Sequence, residues 1–144
     1  MPPRITRFQP TVSWRQFDQF HYLTQELELL GSELLREMIK RLAFLVKKQR
    51  DGYEISHQKN GQKEILDVLS YDRPELIAHH NRLQFNISGI VHSALLYIQK
   101  ELRITQTEVC RQAIKIQDLL LKKKKKGWKL VLQKGDEKET IIFL

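Results

Sequence analysis

The stretch that decides the fold is RLQFNIS, Arg82–Ser88. Its residues alternate between polar and apolar, which predicts one half-buried β-strand. The apolar residues are Leu83, Phe85 and Ile87, and the polar residues are Arg82, Gln84 and Asn86. A helical pattern follows at once, and a single strand has unpaired backbone groups on both edges. This strand must therefore pair with a distant segment of the chain.

An internal repeat supplies the partner. At an offset of 75 residues, Arg7–Leu69 aligns with Arg82–Leu144 without a gap, and 19 of the 63 aligned positions are identical. Unrelated segments would share roughly four. Two unrelated helical hairpins with similar patterning are the alternative, but the breaks and caps shared at equal spacing favour a repeat. The partner is then RFQPTVS, Arg7–Ser13, paired antiparallel about a pseudo-twofold axis. Pro10 has no N–H to donate, so its nitrogen is expected at the open edge.

Each predicted strand leads into two helices. Ser13 and Ser88 suit the N-cap of the first helix. Its apolar positions have helical spacing; they are Trp14, Phe17, Phe20, Leu23, Leu27 and Leu30 in one repeat and Ile90, Val91, Ala94, Leu95, Ile98 and Leu102 in the other. Breaks at 30–32 and 105–107 precede the second helices, and TQTE at 105–108 is a capping-box signal. Gly52 and Gly127 are expected just after the ends of these helices.

A β-hairpin is predicted after each pair of helices. The first is YEISHQ, KNG and QKEILDVL, with a turn at Asn60–Gly61, and the second is WKLVLQ, KGDEK and ETIIFL. Residues 4–69 thus form the first repeat, 70–78 a linker with a turn signal at Asp72 and Pro74, and 79–144 the second repeat. The prediction is an α+β, mainly helical chain whose two repeats fold as one unit.

Composition limits the class of function. The formal charge is +8 and the pI about 9.7, which favours a polyanionic partner, nucleic acid first and an anionic membrane surface second. The single cysteine, Cys110, excludes an internal disulfide, fits a reducing compartment and aligns with Leu35, so core packing is expected. No apolar run approaches a membrane span, and MPPRITRF lacks the apolar segment of a signal peptide. We expect a soluble cytoplasmic protein.

Catalysis and metal binding lack a sequence signal. The histidines are scattered except for the adjacent pair His79 and His80, and one cysteine gives no thiolate pair for zinc. Neither a nucleophile–base pattern nor a phosphate-binding glycine loop is present. The expectation is a protein that is not an enzyme, with no catalytic residues, no metal site and no cofactor.

The order strand, helix, break, helix resembles the ribbon–helix–helix DNA-binding proteins of the Arc and MetJ type. The resemblance rests on RLQFNIS with ELRITQTEVCRQAI, and on RFQPTVS with ELELLGSELLREMIKRL, about 45 residues of each repeat. It implies a single-chain pseudo-dimer, as in the tandem members that assist plasmid conjugation, whose two-stranded ribbon enters the major groove. The covalent linkage, Pro10 and the added hairpins depart from the minimal pattern.

The resemblance also implies site residues. The candidate base-reading set, whose types suit base edges, is Arg7, Gln9, Thr11, Arg82, Gln84 and Asn86. Ser32 and Thr107, where the second helix begins, are candidates for phosphate contact, and simple helix capping is the alternative. A solvated polar strand face is the alternative for the whole ribbon. The lysine run Lys122–Lys126 is expected to be a solvated helix end, with flanking DNA or an acidic partner as the other options.

The expected partner is double-stranded DNA, and the expected role is repression or another form of transcriptional regulation. A DNA-processing accessory role on a plasmid or mobile element comes next. The rival is a protein-interaction module, antitoxin-like or part of a nucleoprotein complex. Its apolar hairpins, including residues 141–144, would bind a protein partner or another copy.

Overall fold

A computed structural model describes residues 6–72 and 81–143 of the chain. Within them the fold is α+β and about half helical, with four helices. The elements are β1 (Thr6–Phe8), β2 (Thr11–Val12), α1 (Trp14–Leu27), α2 (Gly31–Arg50), β3 (Glu54–Lys59), β4 (Gln62–Ile65), β5 (Asn81–Arg82), β6 (Phe85–Ile87), α3 (Gly89–Leu102), α4 (Gln106–Lys125), β7 (Lys129–Lys134) and β8 (Glu137–Ile141). Each helix of the second half begins and ends 75 residues after its counterpart, as the repeat predicts. The turn expected at Asp72 and Pro74 falls largely on residues outside those described.

The first sheet is a two-stranded antiparallel ribbon made by the two repeats. Strand β1 pairs with β6 and β2 pairs with β5 in one continuous register, in which Thr6 lies opposite Ile87 and Thr11 opposite Arg82. Pro10 lies between the two ladders, where its carbonyl accepts a bond from the N–H of Leu83 at 2.9 Å. The predicted pairing of residues 7–13 with residues 82–88 is confirmed.

Local capping explains where the helices begin and end. The Ser13 hydroxyl accepts a bond from the N–H of Gln16, and Thr105 and Glu108 form the predicted capping box. Gly52 and Gly127 follow the second helices at φ +95° and +88°, a conformation that suits glycine. Each allows the next residue to donate back to the helix, which is the Schellman arrangement.

The capping alternative for Ser32 and Thr107 is wrong. The N-cap residues are Leu30 and Thr105, so both hydroxyl residues lie inside the first turn as the second helical residue. In the first repeat, the helix therefore begins at Gly31 without a side-chain cap, while the Glu33 carboxylate accepts from the N–H of Leu30 at 3.4 Å.

The two hairpins join into one four-stranded antiparallel sheet of order β4-β3-β7-β8. The pairing of β3 with β7 places Ile55 opposite Leu132, so the repeats meet at the centre of this sheet as well. Asn60 and Gly61 both have positive φ and form the predicted tight turn. The second turn is shorter than predicted, because Lys134 pairs with Glu137 and leaves only two residues between the strands.

One hydrophobic core lies between the ribbon, the helices and the four-stranded sheet, and it takes residues from both repeats. Cys110 is buried in it, as expected. Three residues assigned to the apolar helix faces are instead exposed, Trp14 (54%), Leu30 (71%) and Ile90 (78%). All three lie at or next to the N-terminus of a helix, beyond the edge of the core, so other parts of the fold do not cover them. No helix in the described part is long and apolar enough to cross a membrane.

Candidate nucleic-acid interface

The outer face of the ribbon carries all six predicted base-reading residues. Strand alternation buries the opposite face, where Phe8, Val12, Leu83, Phe85 and Ile87 enter the core. On the outer face the cross-strand pairs are Arg7 with Asn86, Gln9 with Gln84, and Thr11 with Arg82. The side chains of Arg7, Arg82, Gln84 and Asn86 are exposed, and Gln9 and Thr11 are half-buried. The six outward-facing residues therefore form one continuous polar surface, here called the polar strip, and the opposite face of the ribbon is buried in the core.

The strip has its pseudo-twofold axis at Gln9 and Gln84. These two residues are equivalent in the sequence repeat, and the continuous register of the ribbon places them opposite each other. The flanking pairs, Arg7 with Asn86 and Thr11 with Arg82, exchange under the same axis. The repeat offset comes from the sequence and the register from the strand pairing, and both place the pseudo-twofold axis at these two residues.

Arg7 lies over this centre rather than extending into solvent. Its Nη2 donates to the Gln84 amide oxygen at 3.2 Å. With the Gln9 amide oriented so that its oxygen meets the guanidinium, that oxygen accepts from Nε at 2.6 Å and from Nη2 at 2.9 Å. The result is a pre-ordered cluster of one cation and two amides. Arginine and glutamine are the types that form paired bonds with guanine and adenine edges.

Thr11 has a partner that the sequence interpretation missed. Arg111, from the second turn of α4, donates from Nε to the Thr11 carbonyl at 3.0 Å and from Nη2 to its hydroxyl at 3.3 Å. The sequence places Arg111 in the predicted second helix but does not indicate that a strand of the ribbon lies against it. Among the described residues, the equivalent Arg36 donates to the carbonyl of Ser32 in its own helix, at 3.3 Å. The two halves of the strip are therefore supported differently.

The second helices begin close to the ribbon. Gly31, the first residue of α2, lies against the rings of Phe20 and Phe85, the latter on the buried face of the ribbon. The Arg111–Thr11 contact brings α4 to the other half. Ser32 and Thr107, both half-buried, thus lie in the first turns of the two helices that contact the ribbon. A helix N-terminus presents backbone N–H groups and the positive end of a dipole, which suit a phosphate.

The lysine run is less available than expected. Lys122 pairs with Asp118 at 2.8 Å, Lys123 pairs with Glu64, and Lys125 pairs with Glu26 at 2.6 Å. Lys125 also donates to the Tyr22 hydroxyl, and both bonds raise its pKa. Lys122 and Lys125 are exposed, as expected of a solvated helix end, although each also pairs with a carboxylate. Lys123, whose side chain is 18% exposed, departs from that expectation.

Other reactive groups do not assemble into a second centre in the described residues. No group of three His, Cys, Asp or Glu side chains is arranged to hold a metal ion there. His57 is buried, and burial followed by the Lys123 charge lowers its pKa. Burial raises the pKa of Cys110 to about 12. His79 and His80 lie outside the described residues.

Comparisons with known proteins add no assignment. The chain matches no protein-family model, and no curated protein or solved structure shows significant similarity to it.

Proposed function

We propose that this protein binds double-stranded DNA sequence-specifically, as a tandem ribbon–helix–helix protein whose two halves lie in one chain. The observation that carries the proposal is the polar strip, which holds six side chains suited to base edges around one pseudo-twofold axis. A two-stranded ribbon fits the major groove, and the inward-facing apolar residues give it a rigid base. The net charge of +8 supports a polyanionic partner.

The proposed contacts have separate tasks. Residues on the strip specify bases, at about 1–3 kcal/mol of discrimination for each good pair. The first turns of α2 and α4, with Ser32 and Thr107, fix the position of the protein on the phosphates without reading sequence. The biological output is repression or another form of transcriptional regulation in the cytoplasm, with an accessory role on mobile DNA as the next choice. No catalytic step is assigned.

The test is selection of bound duplexes from a randomised pool at near-physiological salt. The wild type is compared with Gln84→Ala/Asn86→Ala and with the matched control Gln25→Ala/Gln62→Ala, which removes two exposed amides away from the ribbon. The wild type and the control should enrich the same motif. The ribbon variant should lose it and keep weak, salt-sensitive binding. Absence of any enriched motif with the wild type would refute base reading.

A second candidate function is a protein-interaction module. It is favoured by the outer strands β4 and β8, which form the two edges of the four-stranded sheet. Ile65 at the end of β4 is 60% exposed, and Ile142, the residue after β8, is 71% exposed. Unpaired strand edges accept a further strand from a partner or another copy. A stable complex formed through these edges, without affinity for any duplex, would favour this function over DNA binding.

A further inference from the structure

Four lysines form a basic patch where α4 ends, at the opposite end of that helix from the ribbon. Lys124 and Lys126 lie at the end of α4, Lys129 begins β7, and Lys59 ends β3. The Nζ of Lys59 donates to the carbonyl of Lys126, which joins the first repeat to the second at this point. The basic patch therefore combines residues that are far apart in the sequence.

Lys129 connects the members of the basic patch on the surface. Together with Lys124 it lines a cavity of about 330 Å³ between α2, α4 and the four-stranded sheet. Together with Lys59 it lines a cleft of about 500 Å³ beside the turn at Asn60 and Gly61. No aspartate or glutamate lines either opening in the part of the chain that the structure describes. The positive charges thus lie on one continuous surface.

The charges of the basic patch are not neutralised by carboxylates of the described residues. Lys59 and Lys124 donate to main-chain carbonyls, those of Lys126 and Phe143, and a carbonyl orients an ammonium group without cancelling its charge. Lys126 and Lys129 are exposed, and none of the four lysines belongs to an ion pair within residues 6–72 and 81–143. The other members of the lysine run are paired, so the free charge is concentrated in the patch.

The internal repeat shows that the fold does not require this concentration of charge. One lysine of the patch is kept in both halves: Lys134, the equivalent of Lys59, donates to the carbonyl of Asp51 just after α2 at 2.7 Å. Interaction with a helix C-terminus explains that pair of lysines. At the positions equivalent to the other three, the first half has Gln49, Asp51 and Glu54. The remaining charge is present in one half only, and a polyanionic partner accounts for it.

The basic patch is far from the ribbon. The thirteen residues from Arg111, which contacts the ribbon, to Lys124 span about 20 Å of helix. Charges separated by more than the Debye length, about 8 Å at physiological ionic strength, are largely screened from each other. A duplex segment held by the ribbon is therefore not attracted by the patch, and the partner of the patch is a separate segment.

We propose that the basic patch binds the phosphate backbone of a second DNA duplex without reading its sequence, so that one chain bridges two duplexes. The amides of Gln58, Asn60 and Gln133 line the same cleft as Lys59 and Lys129, and amides add neutral hydrogen bonds to phosphate oxygens. An anionic membrane surface would recruit apolar side chains beside the lysines, and the described lining of this cleft has none. The bridging rests on the proposed function of the ribbon, whereas the patch itself does not.

The test measures how binding to a labelled duplex of mixed sequence depends on salt between about 50 and 200 mM, by fluorescence anisotropy. All chains carry Gln84→Ala/Asn86→Ala, so that the ribbon does not read bases. Lys126→Gln/Lys129→Gln is compared with Lys47→Gln/Lys100→Gln, which removes two exposed lysines outside the patch and gives the same net charge. The patch variant should reduce the slope of log K against log salt by about 2 and weaken binding about ten-fold or more at about 0.1 M salt. The control should change the slope by less than about 0.5.

Three results would overturn the patch as a DNA contact. They are an unchanged slope in the patch variant, equal losses in the patch variant and the control, and a loss confined to vesicles of phosphatidylserine and phosphatidylcholine. Unchanged Tm values establish that the substituted chains are folded. Because this measurement uses a duplex of mixed sequence, a failure of base reading in the selection experiment leaves its result intact.

Bridging is tested with the chain that has an intact ribbon. Beads that carry the motif enriched in the selection should capture a second, labelled duplex of unrelated sequence through the wild-type chain. Lys126→Gln/Lys129→Gln should stay on the beads and capture about five-fold less of the second duplex, whereas Lys47→Gln/Lys100→Gln should match the wild type. Equal capture by the patch variant and the wild type would refute bridging through this patch.

Discussion

The contact of Arg111 with Thr11 gives the sharpest prediction for stability. It connects α4 to the ribbon across 100 residues of sequence through two hydrogen bonds, at 3.0 and 3.3 Å. Arg111→Met keeps the length of the side chain and removes both donors. The half-buried carbonyl and hydroxyl of Thr11 then lose a charged partner.

The expected cost is about 2 kcal/mol. Bonds to a charged group contribute roughly 1.5–3 kcal/mol each when well shielded. One of these bonds is long and both are partly open to solvent, which lowers their sum. The control is Arg36→Met, the repeat equivalent, whose bond to Ser32 stays within one helix; we expect it to cost less than about 0.5 kcal/mol.

The assay is urea unfolding followed by circular dichroism, with a constant m-value required for comparison. A loss of 2 kcal/mol corresponds to a fall in Tm of roughly 5 °C for a chain of this size. A double-mutant cycle with Thr11→Val isolates the hydroxyl bond, and we expect a coupling of about 0.5–1 kcal/mol. Equal costs for Arg111→Met and Arg36→Met, together with no coupling to Thr11, would refute the assigned role of this contact.

Three further predictions test the core and the turns. Gly127→Ala should lower the unfolding free energy by about 1 kcal/mol because φ is +88°, whereas Gly89→Ala, with open space around it, should be neutral or stabilising in the same urea assay. Because the pKa of His57 is lower in the folded chain than in the unfolded one, the unfolded chain gains a proton first as the pH falls. The free energy of unfolding should therefore decrease as the pH drops below about 6.5. The urea midpoints at about pH 7.5 and 5.5 should differ less in His57→Gln than in the wild type. Cys110, buried with a pKa of about 12, should resist iodoacetamide in the native chain at about pH 8 and react in urea; rapid native labelling would contradict its burial.

Local patterns predicted the ribbon and the helices because each depends on short-range periodicity. Alternation in Arg82–Ser88 fixed which side chains face outward, and the repeat offset fixed the partner strand. Gly52 and Gly127 follow the ends of the helices because each adopts a positive φ, and this backbone preference is local to the helix end. These predictions needed no knowledge of the rest of the fold.

Tertiary contacts explain what the sequence did not predict. Arg111 lies in a predicted helix, but only the packed structure shows that it bonds to the ribbon. The carboxylate that meets Lys125 comes from Glu26, 99 residues away, so the lysine run alone looked unpaired. The cavity likewise arises where α2, α4 and the joined hairpins meet, and no single segment contains it.

Linking both halves in one chain removes the requirement for equal half-sites under the proposed function. In a ribbon of two identical chains, Arg36 and Arg111 would make the same contact, and positions 11 and 86 would carry the same residue. Here Thr11 is held by Arg111, while Asn86 is exposed opposite Arg7. The centre keeps one glutamine from each half, Gln9 and Gln84, but Arg7 of the first half bonds to both. The target should therefore have unequal half-sites, because the threonine held by Arg111 and the exposed asparagine present different groups to the bases.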